Sequence, residues 1–222
     1  MNKIKAMLVG VSALLASMAI TTPSVAGSSD FAGPYIAVQA SVNGLSLTGQ
    51  SIDNNSEVNT GTAGKFIEVA GGEIGYAIPV GDSFLLNIGI VQVNGTGSMT
   101  GDAGPGAGTD ITVGVGDHIT GYIQPTIAIS ETSALFVKAG ISRMDITASG
   151  DVDVASVPGS LEGSMIALGS RTMFGNGAFI QFEGGVRSYD ELKIFGGGSN
   201  QNGLLTADPK IAYGAMTVGY KF

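Results

Sequence analysis

The sequence predicts an all-β protein: an eight-stranded antiparallel up-and-down transmembrane β-barrel, preceded by a cleavable signal peptide. Three observations carry that expectation. After residue 26, apolar residues alternate with small or polar ones, and no segment repeats with the 3.6-residue period of a helix. The alternating segments are joined in turn by a long polar stretch and a tight turn, a rhythm that repeats about four times. The chain is also apolar without being charged: hydrophobic residues make up 44% and charged residues 13%, with 36 Gly and no Cys or Trp. A soluble domain carries roughly a quarter of its residues as charges.

The first 26 residues read as an export signal. Lys3 and Lys5 form a basic start, Met7 to Ile20 is the apolar region, and Ser24-Val25-Ala26 is a small-x-small cleavage site. An uncleaved anchor helix is the alternative, but the apolar run is short for a bilayer. The expected cut follows Ala26, leaving one domain, residues 27–222. Losing two lysines leaves 8 basic against 18 acidic residues, a net charge of −10. Such an acidic chain lacks the basic face that nucleic-acid binding requires. Without cysteines it draws nothing from the disulfides that an oxidising compartment permits.

The expected strands follow in order. The first, near Gly33–Leu47, puts Ile36, Val38, Ala40 and Val42 on one face and Tyr35, Ala37, Gln39, Ser41 and Asn43 on the other. A long polar stretch, TGQSIDNNSEVNTGTAG, leads to the second strand near Lys65–Ile78, and PVGDS makes a tight turn. The third begins FLLNIGIVQV, with Leu86, Ile88 and Ile90 opposite Asn87 and Gly89. NGTGSMTGDAGPGAGTD is the second long loop. The fourth strand, near Ile111–Ile129, sets Ile123, Pro125 and Ile127 against Tyr122, Gln124 and Thr126. SETS turns the chain into ALFVKAGISRMDIT, where Leu135, Val137, Ala139 and Ile141 oppose Lys138, Gly140 and Ser142. ASGDVDVASVPGSLEG is the third long loop. GSMIALGSRTMF, the turn FGNG and AFIQFEGGVRSYDELKIF supply two more strands, and GGGSNQNGLLTAD the last loop. The final strand runs from Lys210 to Phe222. This order places all long loops at one end, and all short turns and both termini at the other.

Alternation alone does not say which face is wet. The polar face decides it. It is rich in Gly, Ala, Ser, Thr, Gln and Asn, with isolated charges of both signs: Glu73, Lys138, Arg171, Glu183 and Arg187. Small residues suit a crowded lumen, whereas a water-facing surface carries abundant Lys and Glu. The apolar face is therefore expected to meet lipid. The charges then form an interior network, serving either as a structural plug or as a gate in a narrow ion path. The plug is favoured, because an eight-strand lumen is only wide enough for side chains.

Strict alternation in KFIEVAGGEIGYAI sets Glu68 on the face of Ile74 and Tyr76. A charge facing mid-membrane lipid is expensive. Either a β-bulge at Gly71-Gly72 flips the parity and turns Glu68 inward, or Glu68 lies at the outer rim.

FAGPYIAVQ, GGEIGYAIPVGDSFLLNIGI and the closing TVGYKF resemble small bacterial outer-membrane β-barrels of the OmpA-like and Opa-like kind. The likeness covers essentially all of residues 27–222, without a match to the peptidoglycan-binding domain of full OmpA. It implies the outer membrane of a Gram-negative bacterium, contact with the bilayer and lipopolysaccharide, and handling by periplasmic chaperones and the barrel-assembly machinery. It implies too that Val218, Tyr220 and the final Phe222 act as the C-terminal assembly signal.

Chemistry is sparse. The single histidine, His118, lies beside Asp117 in GDHITGY, with Thr120 where lipid-A deacylase-like barrels have a serine. A threonine nucleophile without an N-terminal amine is unusual, so His118 is read as a loop-end residue on the rim and the chain as no enzyme. The DVD of Asp151–Asp153 supplies too few oxygens for calcium. TGDAGPGAGTD lacks the Lys and helix of a phosphate loop. No cofactor or metal is expected. Asp53, Glu57, Asp102, Asp110, Asp151, Asp153 and Glu162 make the loop end acidic. The expected role is structural or surface-interactive, through those loops, with an extracellular partner; a narrow porin-like channel is the alternative, and a lipid-A-modifying enzyme or a soluble ligand-binding barrel less favoured. A closed barrel leaves no edge strand, so a monomer is expected.

Overall fold

A computed structural model describes residues 27–52, 58–102, 110–150, 153, 156–195 and 204–222. The expected signal peptide lies outside the described residues. The chain forms β1 (Gly33–Ile52), β2 (Val58–Pro79), β3 (Phe84–Asn94), β4 (Gly97–Asp102), β5 (Asp110–Ala128), β6 (Ser133–Gly150), β7 (Ser160–Met173), β8 (Ala178–Tyr189), β9 (Leu192–Phe195) and β10 (Leu204–Lys221). Every pairing is antiparallel. The order β1-β2-β3-β5-β6-β7-β8-β10 closes on itself, because β1 also pairs β10 from Tyr35↔Lys221 to Ile52↔Leu204. β4 continues β3 along β5, and β9 continues β8 along β10. The ring therefore has eight staves.

The faces are inverted relative to a soluble barrel. Val38 is 67% exposed and Leu168 70%, and Ile36, Ile74, Ile88, Ile141, Phe182 and Val218 also stand on the outside. The intervening Tyr35, Gln39, Asn43, Glu73, Gln124, Lys138 and Thr217 are buried inside. Soluble monomers rarely expose a contiguous apolar patch beyond a few hundred Å². A belt around a closed barrel is the surface that lipid covers, since closure satisfies every ladder hydrogen bond. Among the described residues no helix is long and apolar enough to cross a membrane; the strands do so.

Three short turns share one end with Gly27 and Phe222, as expected. Val80 N donates to Phe84 O, Ile129 N to Ser133 O and Phe174 N to Ala178 O, at 2.8–2.9 Å. A 3-10 turn at Ser28–Asp30 folds under this mouth, where Ser28 N donates to Asp82 O at 2.7 Å. It seats Phe31 among Tyr35, Ala77, Leu85, Ala134 and Phe179, which close the lower lumen with an apolar layer.

Four expectations are corrected. The long loops are much shorter than their composition suggested, because their Thr-rich flanks continue the ladders beyond the bilayer. Thr48 and Thr62 bridge β1 and β2 at 3.1 Å, and Thr100 and Thr112 bridge β4 and β5 at 2.8 Å; such cross-strand threonine pairs stabilise a sheet. Second, no bulge interrupts Gly71-Gly72, since the β1–β2 register is continuous from Gly33↔Ala77 to Ile52↔Val58. Glu68 is exposed on the outer face. It sits ten residues above Ile78, about 33 Å along the strand, or ~25 Å of height at the usual tilt of ~40°. That is the upper border of the apolar band, the rim position.

Third, the bulge lies in β5 instead. Val115 faces Ile146 while His118 faces Met144, so β5 carries one extra residue at Gly116-Asp117. Asp117 Oδ1 there accepts from Gly95 N at 3.0 Å, in the break between β3 and β4. The bulge reverses parity: Val113 and Val115 point inward above it, and His118, Thr120, Tyr122 and Gln124 below it. His118 is consequently a lumen residue, 3% exposed, and not a rim residue. Fourth, the lumen is not polar throughout. Its upper part is apolar, built from Val91, Val93, Val113, Met144, Ile146, Leu161, Leu192, Ile194 and Ile211.

Candidate functional site in the lumen

Between the two apolar layers lies one connected polar network. The five charges singled out by sequence are all buried there. Lys138, at 0% exposure on β6, donates to Glu183 Oε2 on β8 at 2.6 Å and to Glu73 Oε2 on β2 at 3.5 Å. Tyr122 OH donates to Glu73 Oε1. That uses its single proton, so Tyr35, whose OH lies 2.6 Å away, is the donor in the Tyr35–Tyr122 bond. Glu183 accepts further from Tyr213 OH at 3.0 Å and from Gln181 Nε2 at 3.0 Å. Arg171 Nε donates to Gln181 Oε1 at 3.0 Å and stacks on Tyr35 and Phe179. Arg187 lies over the Tyr213 ring, 3.9 Å from its centroid.

The strands dictate this arrangement. Every member stands at an inward position, and members come from β1, β2, β5, β6, β7, β8 and β10, all staves but the third. Two glycines make room. Gly75 and Gly89 also point inward, and a methyl group there would collide with the Tyr35 and Tyr122 phenols respectively. The rings can therefore lie across the lumen and reach Glu73. A buried ion with two counter-charges and neutral donors around them has its desolvation largely offset. Chemically the arrangement places paired charges and their neutral donors across the middle of the lumen.

Sequence singled out the charges but missed their ligands, Tyr35, Tyr122, Gln181 and Tyr213. Their inward positions in alternation with apolar residues were the available signal. The sequence-suggested hydrolytic set does not assemble. Asp117 is on the outer side, Thr120 Oγ1 pairs with Ser142 Oγ at 2.9 Å, and Ser142 Oγ is 3.1 Å from Tyr189 OH. Both ring nitrogens of His118 are buried without a side-chain hydrogen-bond partner among the described residues, the Gly116 backbone being their nearest polar neighbour. Val218, Tyr220 and Phe222 all stand on the outer face, and the Tyr220 and Phe222 rings meet edge to face at 5.2 Å. Of the acidic loop residues, Asp153 and Glu162 are exposed. Asp53, Glu57, Asp151 and the side chains of Asp102 and Asp110 lie outside the described residues, as does most of TGDAGPGAGTD. No group of three or more His, Asp or Glu placed to hold a metal occurs among the described residues.

Comparison with solved structures gives the same architecture. The outer membrane protein OprG from Pseudomonas aeruginosa aligns over 90% of this chain and 100% of its own, with a TM-score of 0.52 at 12% identity. The fold is that of a small bacterial outer-membrane β-barrel. Ail of Yersinia pestis, solved with the heparin analogue sucrose octasulfate, aligns over 83% of this chain and 99% of its own, at 11% identity and a TM-score of 0.40. The outer membrane protease OmpT from Escherichia coli aligns over 85% and 97%, at 10% identity and a TM-score of 0.41. No protein-family model matches the sequence, and neither does any curated protein. The apolar belt and the fold agree on the outer membrane of a Gram-negative bacterium as the location.

Proposed function

We propose that this barrel is a closed, non-enzymatic envelope scaffold with a structural or surface-interaction role, presenting its extended upper strands and acidic loops to an extracellular partner. The observation that carries the reading is the plug: Lys138, Glu73, Glu183 and Arg171, with their tyrosine and glutamine ligands, bridge seven staves across the lumen. Strands of 18–22 residues in β1, β2, β5, β6 and β10 far exceed the ~9–11 that a bilayer needs. The excess is a rigid platform above the membrane, and recognition commonly sits on such platforms. Lipopolysaccharide would meet the acidic outer rim through bridging cations. Val218, Tyr220 and Phe222 would be read by the barrel-assembly machinery after delivery by periplasmic chaperones, and the closed ring would work as a monomer.

A specific observation favours the second reading, a narrow channel. Gln39, Ser41 and Asn43 on β1 and Thr217 on β10 carry buried polar atoms without hydrogen-bond partners among the described residues. Such atoms call for water, which would run beside the plug. Conductance of the purified, folded protein in planar bilayers separates the two. The plug reading expects no stable openings; stable large openings would overturn it.

A further inference from the structure

The buried charges of the lumen do not balance. Among the described residues three buried cations, Lys138, Arg171 and Arg187, face two buried carboxylates, Glu73 and Glu183. Lys138 takes both carboxylates, and Arg171 has the Gln181 amide and two aromatic rings. Arg187 is left. It is 1% exposed, and its Nε and Nη1 have no partner among the described residues. His118, whose ring has only the Gly116 backbone beside it and no side-chain partner among the described residues, is within electrostatic range of it. An unpaired buried ion is costly, so the pair describes a missing anion.

The surroundings give that anion its character. The cross-strand neighbours of Arg187 are Met165 and Ile211, and those of His118 are Val93 and Met144. All four belong to the apolar layer above the plug. The β5 bulge is what turns His118 into this layer; unbroken alternation from Val115 would have sent Asp117 inward and His118 outward. Bulges are retained where they re-aim a side chain.

We propose that Arg187 and His118 form a binding site for a monocarboxylate with a compact apolar body, such as a short or medium-chain fatty acid. The carboxylate takes the free edge of the Arg187 guanidinium, whose planar fork suits two oxygens, and His118 donates to it. The hydrocarbon lies upward among the apolar side chains. One negative charge cancels the one excess positive charge, which disfavours phosphate esters and dicarboxylates. The site goes beyond the scaffold reading and does not depend on it, since a ligand above the plug neither opens nor closes the pore.

The test is calorimetric titration of the folded protein in a non-ionic detergent with sodium hexanoate, with hexanol and sodium chloride as controls. Saturable binding of hexanoate at one site per barrel is expected, about tenfold or more weaker for hexanol, as loss of a charge-assisted hydrogen bond implies. Arg187→Met abolishes it, Arg187→Lys retains part of it, and His118→Gln weakens it. Removing the unpaired charge also makes Arg187→Met more resistant to denaturant in the absence of hexanoate, so loss of binding is separable from misfolding. Absence of saturable hexanoate binding, or equal binding by hexanol or by Arg187→Met, overturns the proposal. Chloride giving the same Arg187-dependent response, with hexanoate no tighter, overturns it in favour of an inorganic-anion site.

Discussion

Replacing Lys138 with methionine tests whether the plug holds the barrel together. Methionine keeps most of the volume and removes the charge. At an effective dielectric of about 20, the contacts at 2.6 and 3.5 Å carry about 6 and about 5 kcal/mol of attraction. Desolvation of the ions, at several kcal/mol each, offsets most of that sum. What Lys138→Met adds is two buried carboxylates without the lysine that bridges them. Breaking a buried pair in this way costs about 3–5 kcal/mol. The loss is read from denaturant unfolding of the refolded protein, followed by heat-modifiable gel mobility. Neutralising the partners as well, in Lys138→Met with Glu73→Gln and Glu183→Gln, should restore part of the lost stability, because no carboxylate is then left without its lysine, while Arg171 and Arg187 keep their amide and aromatic contacts. Tyr122, Tyr213 and Gln181 still find acceptors in the new amides. A single variant as stable as the parent, or a triple variant no better than the single, would refute the reasoning.

Three further outcomes are expected. Gly89→Ala drives a methyl into the Tyr122 phenol and should destabilise the folded barrel by about 1–3 kcal/mol in the same unfolding assay; no change would mean that Tyr122 does not lie across the lumen. Val38→Arg, in the apolar belt, should cost about 2–4 kcal/mol in lipid vesicles, and Glu68→Lys at the rim about 0–1 kcal/mol; equal costs would contradict the assigned depth of Glu68. Deleting Phe222, which is 72% exposed, should leave the stability of refolded protein within about 0.5 kcal/mol, while the amount inserted in the outer membrane of cells falls. Normal insertion would remove the assembly role.

The lipid-facing half of the fold was legible because its signal is strictly local. Ile36, Val38, Ile88, Leu135, Ile141 and Val218 repeat at every second residue, and the ladders hold that parity. The lumen charges were legible for the same reason, since a lone Lys138 or Glu183 in an alternating strand has only the interior left to it. What failed was the assumption that the interior is polar at every height. Val91, Val93, Val113 and Val115 are apolar and point inward, above the plug. Alternation then no longer marks the faces, and the β5 bulge that separates Val115 from His118 left no trace except a Gly-Asp pair. Glycine pairs are ambiguous in the other direction as well: Gly71-Gly72 invited a bulge and instead sits in an unbroken ladder. The upper strands were hidden by composition, because Thr-Gly-rich ladders in water look like loop until their partners are known.

The central claim is that the outward face is the apolar one. The chain has no Trp, so single tryptophans at Val38, Leu168 and Phe66 report without background. In vesicles of acyl-chain-brominated lipid, tryptophan at positions 38 and 168 should be strongly quenched and blue-shifted, and tryptophan at the extramembrane position 66 only weakly quenched. Unquenched fluorescence at positions 38 and 168 in the folded protein would contradict the account.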